Sequence, residues 1–484
     1  MIHPVLEPGW ALAILPEIIL CAGGLILMLC GAFMPKGGRG ILAPLALATL
    51  LIASWSQRFA PIGTFFGGTY EISDLTRLFD LTFFIATILA TLFAREYLQR
   101  EGIETGEFYA MLLWGTFGMM MMAKGLDLLI VVLGLEILSV CIFVLLGTHR
   151  RVAISNEASL KYFLMGAFAT GFILYGIALF YGVTRTTNVH ELAVYFAHSD
   201  GKNPLLTIAF VLLLAGFGFK LALAPFHAWA PDVYQGGPTP VAGWLSVAPK
   251  AATLIALVRI FDAMGPVLAK VQWMDMLAVL AVMSMIVGNL VAIVQRDLKR
   301  MLAYSGIAHV GYMSIAMLTL ERDSIAAVGI YGITYALMNI GAFGVVSMIV
   351  NNQNDPQTLD DIAGLGFRRP ILGMALALCM FSLSGLPPTA GFISKFYIFK
   401  SAIQAGHVTI AIIGIITSIF SVYYYLRVVY YLYMKESTDA ADMPMPGVFG
   451  LGAIAISMLG IIAIGIYPRP LFELAGAAAE AFLR

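Results

Sequence analysis

Charge is scarce in this chain. Only 12% of its 484 residues are Asp, Glu, Lys or Arg, about half of the roughly 25% usual in soluble globular proteins. So few charges could not keep a soluble surface of this size free of large apolar patches, and a soluble protein is excluded. Neither sign dominates, because 28 basic and 28 acidic residues cancel. Without a basic face there is no electrostatic footprint for nucleic acid. Cysteine is equally sparse. Cys21, Cys30, Cys141 and Cys379 lie in apolar runs and form no C-x-x-C pair, so a disulfide framework, a zinc site or an iron–sulfur cluster is not expected. The opening Met1-Ile2-His3-Pro4 lacks the basic segment of a cleaved signal peptide, so the first apolar run is expected to stay in the mature protein. No G-x-G-x-x-G opens a βαβ unit. Of seven histidines only His227 and His309 fall deep in apolar runs, without the paired spacing that haem ligation needs. No cofactor and no metal is therefore expected in this chain.

What the sequence has in abundance is apolar length: 60% of it is hydrophobic. A membrane span takes about 20 mainly apolar residues, and about fourteen such runs follow one another. They lie near 11–32, 40–57, 74–94, 108–123, 125–147, 157–182, 204–235, 238–264, 272–294, 298–319, 323–350, 370–403, 406–434 and 446–468. The longest polar stretches are Thr184–Asn203 and Asn351–Pro370, and the Ala-rich tail 471–484 reads as a short interfacial helix. The reading is an all-α integral membrane protein. Lys and Arg concentrate in the loops after odd-numbered spans: Lys36 with Arg39, Arg95 with Arg100, Arg150 with Arg151, Arg296 with Lys299 and Arg300, Arg368 with Arg369. The other loops carry mostly single charges, namely Arg58, Lys124, Lys270 and Arg322. The bias places odd loops in the cytoplasm and both termini outside.

Two spans break the helical rules at membrane depth, one around Pro225 and one around Pro387. Proline removes a hydrogen bond and clashes with the preceding turn, and in lipid the freed carbonyls must find partners in protein or an enclosed wet cavity. The two breaks fall in spans seven and twelve. Spans 4–8 and 9–13 thus form two five-helix sets, each broken in its fourth member. An odd number of spans gives the sets opposite orientation, the pattern of an inverted repeat with its site at the broken helices. The expected division is 1–107, 108–264, 265–434 and 435–484.

A charge at the bilayer centre costs roughly 2.5–3.5 kcal/mol on insertion scales. With a rise of about 1.5 Å per residue, Glu136 lies roughly 13 Å into span five and Lys250 roughly 18 Å into span eight. His309 falls near mid-depth of span ten, Lys220 and His227 flank the first break, and Lys395 follows the second. Other charges admit ordinary readings. Lys161 sits four residues after Glu157, as a surface pair or a snorkelling lysine. Arg427 lies in a Tyr-rich run near a span end, Lys124 and Asp127 flank a turn and are expected at the interface, and His309 could simply bond a neighbouring helix. Desolvated lysines near a carboxylate can load and release protons, as a coupled set.

The segment Pro225-Phe226-His227-Ala228-Trp229-Ala230-Pro231-Asp232-Val233-Tyr234-Gln235-Gly236-Gly237-Pro238-Thr239-Pro240, followed by Leu245-Ser246-Val247-Ala248-Pro249-Lys250, resembles the core signature of the antiporter-like subunits of respiratory complex I. The Val-Tyr-Gln-Gly and Ser-Val-Ala-Pro-Lys stretches are closest to the subunit N branch rather than L or M. Leu135-Glu136-Ile137-Leu138-Ser139, 299–309 and 386–392 support the likeness, which covers essentially the whole chain. The chain also ends after span fourteen, without the lateral helix expected of subunit L. The resemblance implies a proton-translocating module of a bacterial inner membrane. It implies that Glu136 pairs with Lys220, that Lys161 modulates the pair, that Lys250 connects and that Lys395 is terminal. His227 and Tyr304 or His309 would bridge through water. FMN, iron–sulfur clusters and quinone are implied in partner subunits, and subunits M and K as neighbours. A subunit of an Mrp-type Na+/H+ antiporter is the alternative. A solute carrier with parallel halves would not place matched breaks five spans apart, and a lipid or glycan transferase would want a soluble catalytic domain.

Overall fold

The computed structural model describes residues 8–271, 273–349, 358–436 and 445–483, without the side chains of 36, 266–271 and 273. The Met1–Pro4 segment, residues 351–357 of the second polar stretch and the Lys270 side chain lie outside the described residues. The fold is a helical bundle. Its N-terminal part comprises α1 (Trp10–Ala13), α2 (Leu15–Phe33), α3 (Leu42–Ser56), a hairpin of β1 (Gly63–Phe65) and β2 (Tyr70–Ile72), and α4 (Asp74–Glu101). Next come α5 (Gly106–Lys124), α6 (Leu128–Leu146), α7 (Ala153–Thr184), α8 (Val189–His198), α9 (Pro204–Leu221), α10 (Trp229–Gly236) and α11 (Thr239–Val271). They are followed by α12 (Trp273–Val294), α13 (Leu298–Ala316), α14 (Arg322–Tyr335), a π-helical turn at Ala336–Ile340 and α15 (Gly341–Ile349). The chain closes with α16 (Leu365–Arg368), α17 (Pro370–Ser384), α18 (Ala390–Gln404), α19 (Val408–Tyr433), α20 (Val448–Ile466) and α21 (Arg469–Leu483).

Local chemistry sets the helix ends. Ser73 and Thr76 form a capping box at the head of α4, and Gly102 ends that helix in the left-handed region at φ 67°, where a side chain would be strained. Asp127, Asn188 and Asp297 cap α6, α8 and α13 with their side-chain oxygens. Among the described residues, eleven helices are long and apolar enough to cross a membrane, or twelve if the pair bent by 117° before α17 is counted as one span. The spans of α11 and of α14–α15 are buried along their whole apolar window, whereas those of α2, α7, α12, α19 and α20 are mostly open to the outside. The centre of the bundle is therefore α11, which carries Lys250.

The helix is interrupted where the prolines require it. After α9, Ala222 turns left-handed at φ 60°, and after α17, Gly385 does so at φ 86°. The Ala224–Pro225 and Pro387–Pro388 bonds are cis. Two carbonyls at these helix ends find side-chain donors, as burial requires: Trp229 Nε1 donates to Phe219 O at 2.9 Å and Lys395 Nζ to Ser384 O at 3.2 Å. Three elements have no counterpart in the reading of the apolar runs. The hairpin lies in the connection between the second and third runs and α8 in the long polar stretch Thr184–Asn203, and the π turn follows no periodicity. The tail is a helix as expected, and it packs a small-residue face of Ala475, Gly476, Ala478 and Ala479 against the bundle.

Candidate functional site

Glu136 and Ser139 are three residues apart and share one face of α6. Lys220 lies in the last turn of α9, and its Nζ donates to Ser139 Oγ at 2.8 Å. The Glu136 carboxylate instead accepts from Thr170 Oγ1 of α7 at 2.7 Å. Glu136 is within Coulombic reach of Lys220, but among the described residues no ion pair joins them, and Ser139 stands where direct pairing was expected. Glu136 is also only half-buried by this chain.

Lys161 is placed differently from the other lysines. Its side chain is 41% exposed and bridges Glu157 at 2.6 Å and Asp232 of α10 at 2.9 Å. The surface pair read from the sequence is thus present, together with a second partner. Asp232 also receives Arg300 of α13 at 2.7 Å. Arg300 reaches Gln235 Oε1 at 2.9 Å, and Gln235 Nε2 donates to Asp297 Oδ2 at 3.1 Å. The short helix α10 is therefore tied to α7 on one side and to α13 on the other.

The opposite side of α10 is aromatic. Trp229 packs on Tyr162 of α7 with ring centroids 4.7 Å apart and on Tyr234 at 6.1 Å. Lys220 Nζ lies 5.9 Å over the Tyr162 ring, and Lys250 Nζ lies 5.8 Å over the Tyr234 ring. These rings stand between the two lysines. Beyond them Lys250 is 1% exposed and donates to Gly306 O at 3.3 Å. Among the described residues, three fully buried polar atoms in this region lack a hydrogen-bond partner: the hydroxyls of Tyr234 and Tyr335, and Asn339 Oδ1 on the π turn. Asn339 Nδ2 donates to Ser246 Oγ, one turn before Lys250, at 2.6 Å. π turns are frequent at functional sites, and buried polar atoms call for partners such as ordered water.

His309 joins this region to the second break. Its Nδ1 is 2.6 Å from the Tyr331 hydroxyl and its Nε2 is 3.0 Å from that of Tyr425. The ring stacks on Tyr335 at 4.8 Å, and both Lys250 and Lys395 are within Coulombic reach. Both ring nitrogens thus have partners, including the simple interhelical bond the sequence allowed. Lys395 is buried, donates to Ser384 O and to Ser418 Oγ at 3.0 Å, and lines an apolar groove of about 540 Å³ at the outer surface. His227 is half-buried, its Nδ1 lacks a partner, and its ring meets Tyr304 edge-on at 6.5 Å. Among the described residues no hydrogen bond or ion pair joins His227 or the Tyr304 side chain to Lys250.

Lys124 corrects the sequence reading. It is buried, and its ammonium pairs with Glu17 at 2.6 Å and Asp80 at 2.8 Å. Tyr70 of the hairpin donates to Glu17 and Gln57 to Asp80, each at 2.7 Å. Read as the end of a span, Lys124 looked interfacial; the hairpin that covers it carries too weak a strand signal to be seen. Asp127 caps α6, its Oδ1 accepting from Leu129 N–H at 2.8 Å, and Arg427 donates to the Ile293 and Gln295 carbonyls at the end of α12. Tyr162, Tyr234, Tyr335 and Tyr425 were missed because a buried tyrosine reads as core until its hydroxyl is placed.

A family model described as "NADH:quinone oxidoreductase/Mrp antiporter, TM" matches residues 125–421. The NADH-quinone oxidoreductase subunit N of Trichlorobacter lovleyi is 42% identical over 474 residues, 96% of each chain. A chain of respiratory complex I from Thermus thermophilus superposes with a TM-score of 0.80 at 34% identity, over 95% of this chain and 99% of that one. A chain of the Mrp complex from a Dietzia species shares the fold at TM-score 0.78 and 19% identity, over 97% of this chain and 96% of that one. The chain is a multi-pass membrane protein and belongs to the NADH:quinone oxidoreductase/Mrp antiporter family, in its complex I subunit N branch.

Proposed function

We propose that this chain carries protons across a bacterial inner membrane as an antiporter-like subunit of complex I. Electron transfer from NADH to quinone, in partner subunits holding FMN and iron–sulfur clusters, would drive it. The observation that carries this reading is the line of Lys220, Lys250, His309 and Lys395, all buried in one apolar bundle and each given polar partners. Structural charges do not need such a line, because a buried cation is costly unless paired. In this reading Glu136 and Lys220 load a proton and Lys161 modulates them from the surface. Lys250 and His309 pass the proton on, and Lys395 releases it toward the outside; His227 and Tyr304 add a water-bridged branch.

Two helices with lower apolarity, α5 and α13, complete fourteen spans once α9–α10 and α17–α18 each count as one. Spans 4–8 and 9–13 would then be the inverted repeats, within the divisions 1–107, 108–264, 265–434 and 435–484. Both termini would lie in the periplasm, and the half-buried Glu136 would meet a neighbouring subunit, with subunits M and K flanking the chain. Purification of the tagged chain under mild detergent tests the assignment. Flavin- and iron–sulfur-containing partners are expected to come with it. A flavin-free assembly of membrane subunits alone would refute the complex I reading and favour an Mrp-type antiporter.

A further inference from the structure

At one rim of the bundle, the ends of α4 and α6 and the beginnings of α5 and α7 enclose a cavity of about 530 Å³. None of the relay residues lines it. Arg150 and Arg151, in the loop between α6 and α7, do. Both are exposed, and among the described residues neither guanidinium has a hydrogen bond or ion pair. His149 beside them is buried and stacks on Tyr97 at 5.9 Å, yet its Nε2 is fully buried without a partner. Burial holds this imidazole below its ordinary pKa, so it contributes a hydrogen-bonding nitrogen rather than a third charge.

Two helix N-termini also border the cavity. Thr105 before α5 and Val152 before α7 supply no side-chain cap; at α7 the N–H groups of Val152 and Ser155 are taken by His149 O and Val152 O, and among the described residues those of Ala153 and Ile154 are left for an outside partner. Backbone donors and the positive end of the helix dipole suit a phosphate, and paired arginines suit it further. The end of α4 and the first turn of α5 bring the opposite sign to the lining, with Glu101 and Glu107. Glu107 is exposed and, among the described residues, has no hydrogen bond or ion pair; Glu101 faces Arg100 at 3.7 Å while its Oε2 is buried with no partner among those residues. Of these two glutamates Glu101 already has Arg100 as a partner, so Glu107 is the carboxylate open to a cationic group of the ligand. Val144, on the last turn of α6, lines the same cavity and is 45% exposed on the apolar outer face.

We propose that this cavity holds the headgroup of a zwitterionic aminophospholipid. The phosphate diester sits between Arg150, Arg151 and His149, the amine faces Glu107, and the acyl chains run down the bundle past Val144. Each part of the ligand then answers one feature of the cavity. Basic pockets between helices at a membrane rim are known to take lipid headgroups; the added Glu107 carboxylate selects for the amine.

The test uses the whole assembled complex, delipidated in detergent and supplied in turn with phosphatidylethanolamine, phosphatidylglycerol or inorganic phosphate. Photoreactive phosphatidylethanolamine is expected to label peptides around 144–152. A tenfold excess of unlabelled phosphatidylethanolamine should cut that labelling about tenfold, phosphatidylglycerol should compete poorly, and inorganic phosphate should not compete. The double variant R150Q/R151Q should lose the labelling, and R150K/R151K should keep part of it. Equal competition by phosphatidylglycerol would overturn the role of the Glu107 carboxylate. Equal competition by inorganic phosphate would reduce the cavity to a free-phosphate site. Undiminished labelling of R150Q/R151Q, or no labelling of 144–152 in the unaltered complex, would overturn the proposal. The wild-type experiment stands even if the glutamine variant fails to assemble.

Discussion

Gly306 on α13 offers a way to disturb the central lysine without touching a charge. A Cβ at this position would lie 3.1 Å from the Tyr335 hydroxyl and 3.4 Å from Lys250 Nζ. Both distances are inside the roughly 3.5–4.0 Å of comfortable contact. Gly306→Ala deletes no hydrogen-bonding or titratable group, and it should favour the helix by about 0.8–1.0 kcal/mol. Any loss must therefore come from the filled space between the ammonium and the phenol. An extra methyl in a packed interior typically costs about 1–3 kcal/mol. If that cost falls on the arrangement that passes a proton, at about 1.4 kcal/mol per tenfold, transfer slows by about five- to a hundred-fold. The measurement is NADH-driven acidification of inverted membrane vesicles, divided by NADH:ferricyanide activity to correct for the amount of assembled complex. Pumping at the wild-type rate in Gly306→Ala would refute the need for open space beside Lys250. Full pumping in Lys250→Ala would refute the larger claim that Lys250 conducts.

Four further variants probe the rest of the line and the charge clusters around it. Lys220→Ala and Glu136→Gln are each expected to impair pumping and coupled NADH oxidation in a complex that still assembles; an assembled Lys220→Ala complex that pumps fully would remove Lys220 from the relay. Asp232→Asn releases Lys161 and Arg300 from half-exposed pairs worth about 0.2–1 kcal/mol each. Assembly should persist while pumping slows severalfold, with recovery in Asp232→Glu, and an unchanged rate would leave the network without a role in turnover. Lys124→Met leaves Glu17 and Asp80 as buried carboxylates without their cation, a loss of about 3–5 kcal/mol. Native gels should show much less assembled complex, partly restored by Glu17→Gln in the same chain, and undiminished assembly would mean that the buried triad contributes little.

Much of this architecture was legible because lipid makes apolar length the dominant signal. The run 204–235 became α9 and α10 with the break at its proline, and 370–403 became α17 and α18. Depth counted along a helix also found Lys220, Lys250, His309 and Lys395, since each lies many residues from either end of its run. Depth says nothing about the direction a side chain takes. That is why Glu136 turned out half-buried, and why Lys124, one residue from a span end, proved to be enclosed. The cover over Lys124 is a hairpin of two three-residue strands pairing Gly63–Phe65 with Tyr70–Ile72, and strands that short leave little pattern. The tyrosines were illegible for another reason. Their rings satisfy the apolar pattern, and only the placement of the hydroxyl separates a core residue from a member of a polar line.

The polar line itself is interrupted, and the interruption constrains how it can work. Lys220 and Lys250 each face the ring of a tyrosine, and Trp229 is wedged between those rings. Trp229 and Tyr234 both belong to α10, an eight-residue helix joined to α9 through Pro225. The same helix is held at Asp232 by Lys161 and Arg300. A change of partner at Lys161 therefore acts on the element that separates the two lysines, which is how an exposed lysine could modulate a buried one. If the rings are the barrier, thinning them should let protons through without turnover. Trp229→Leu, in an assembled complex, is expected to speed the decay of an imposed pH gradient across vesicles in the absence of NADH. The same variant should lower the number of protons moved per NADH. A gradient that decays at the wild-type rate, with wild-type stoichiometry, would show that the barrier between Lys220 and Lys250 lies elsewhere.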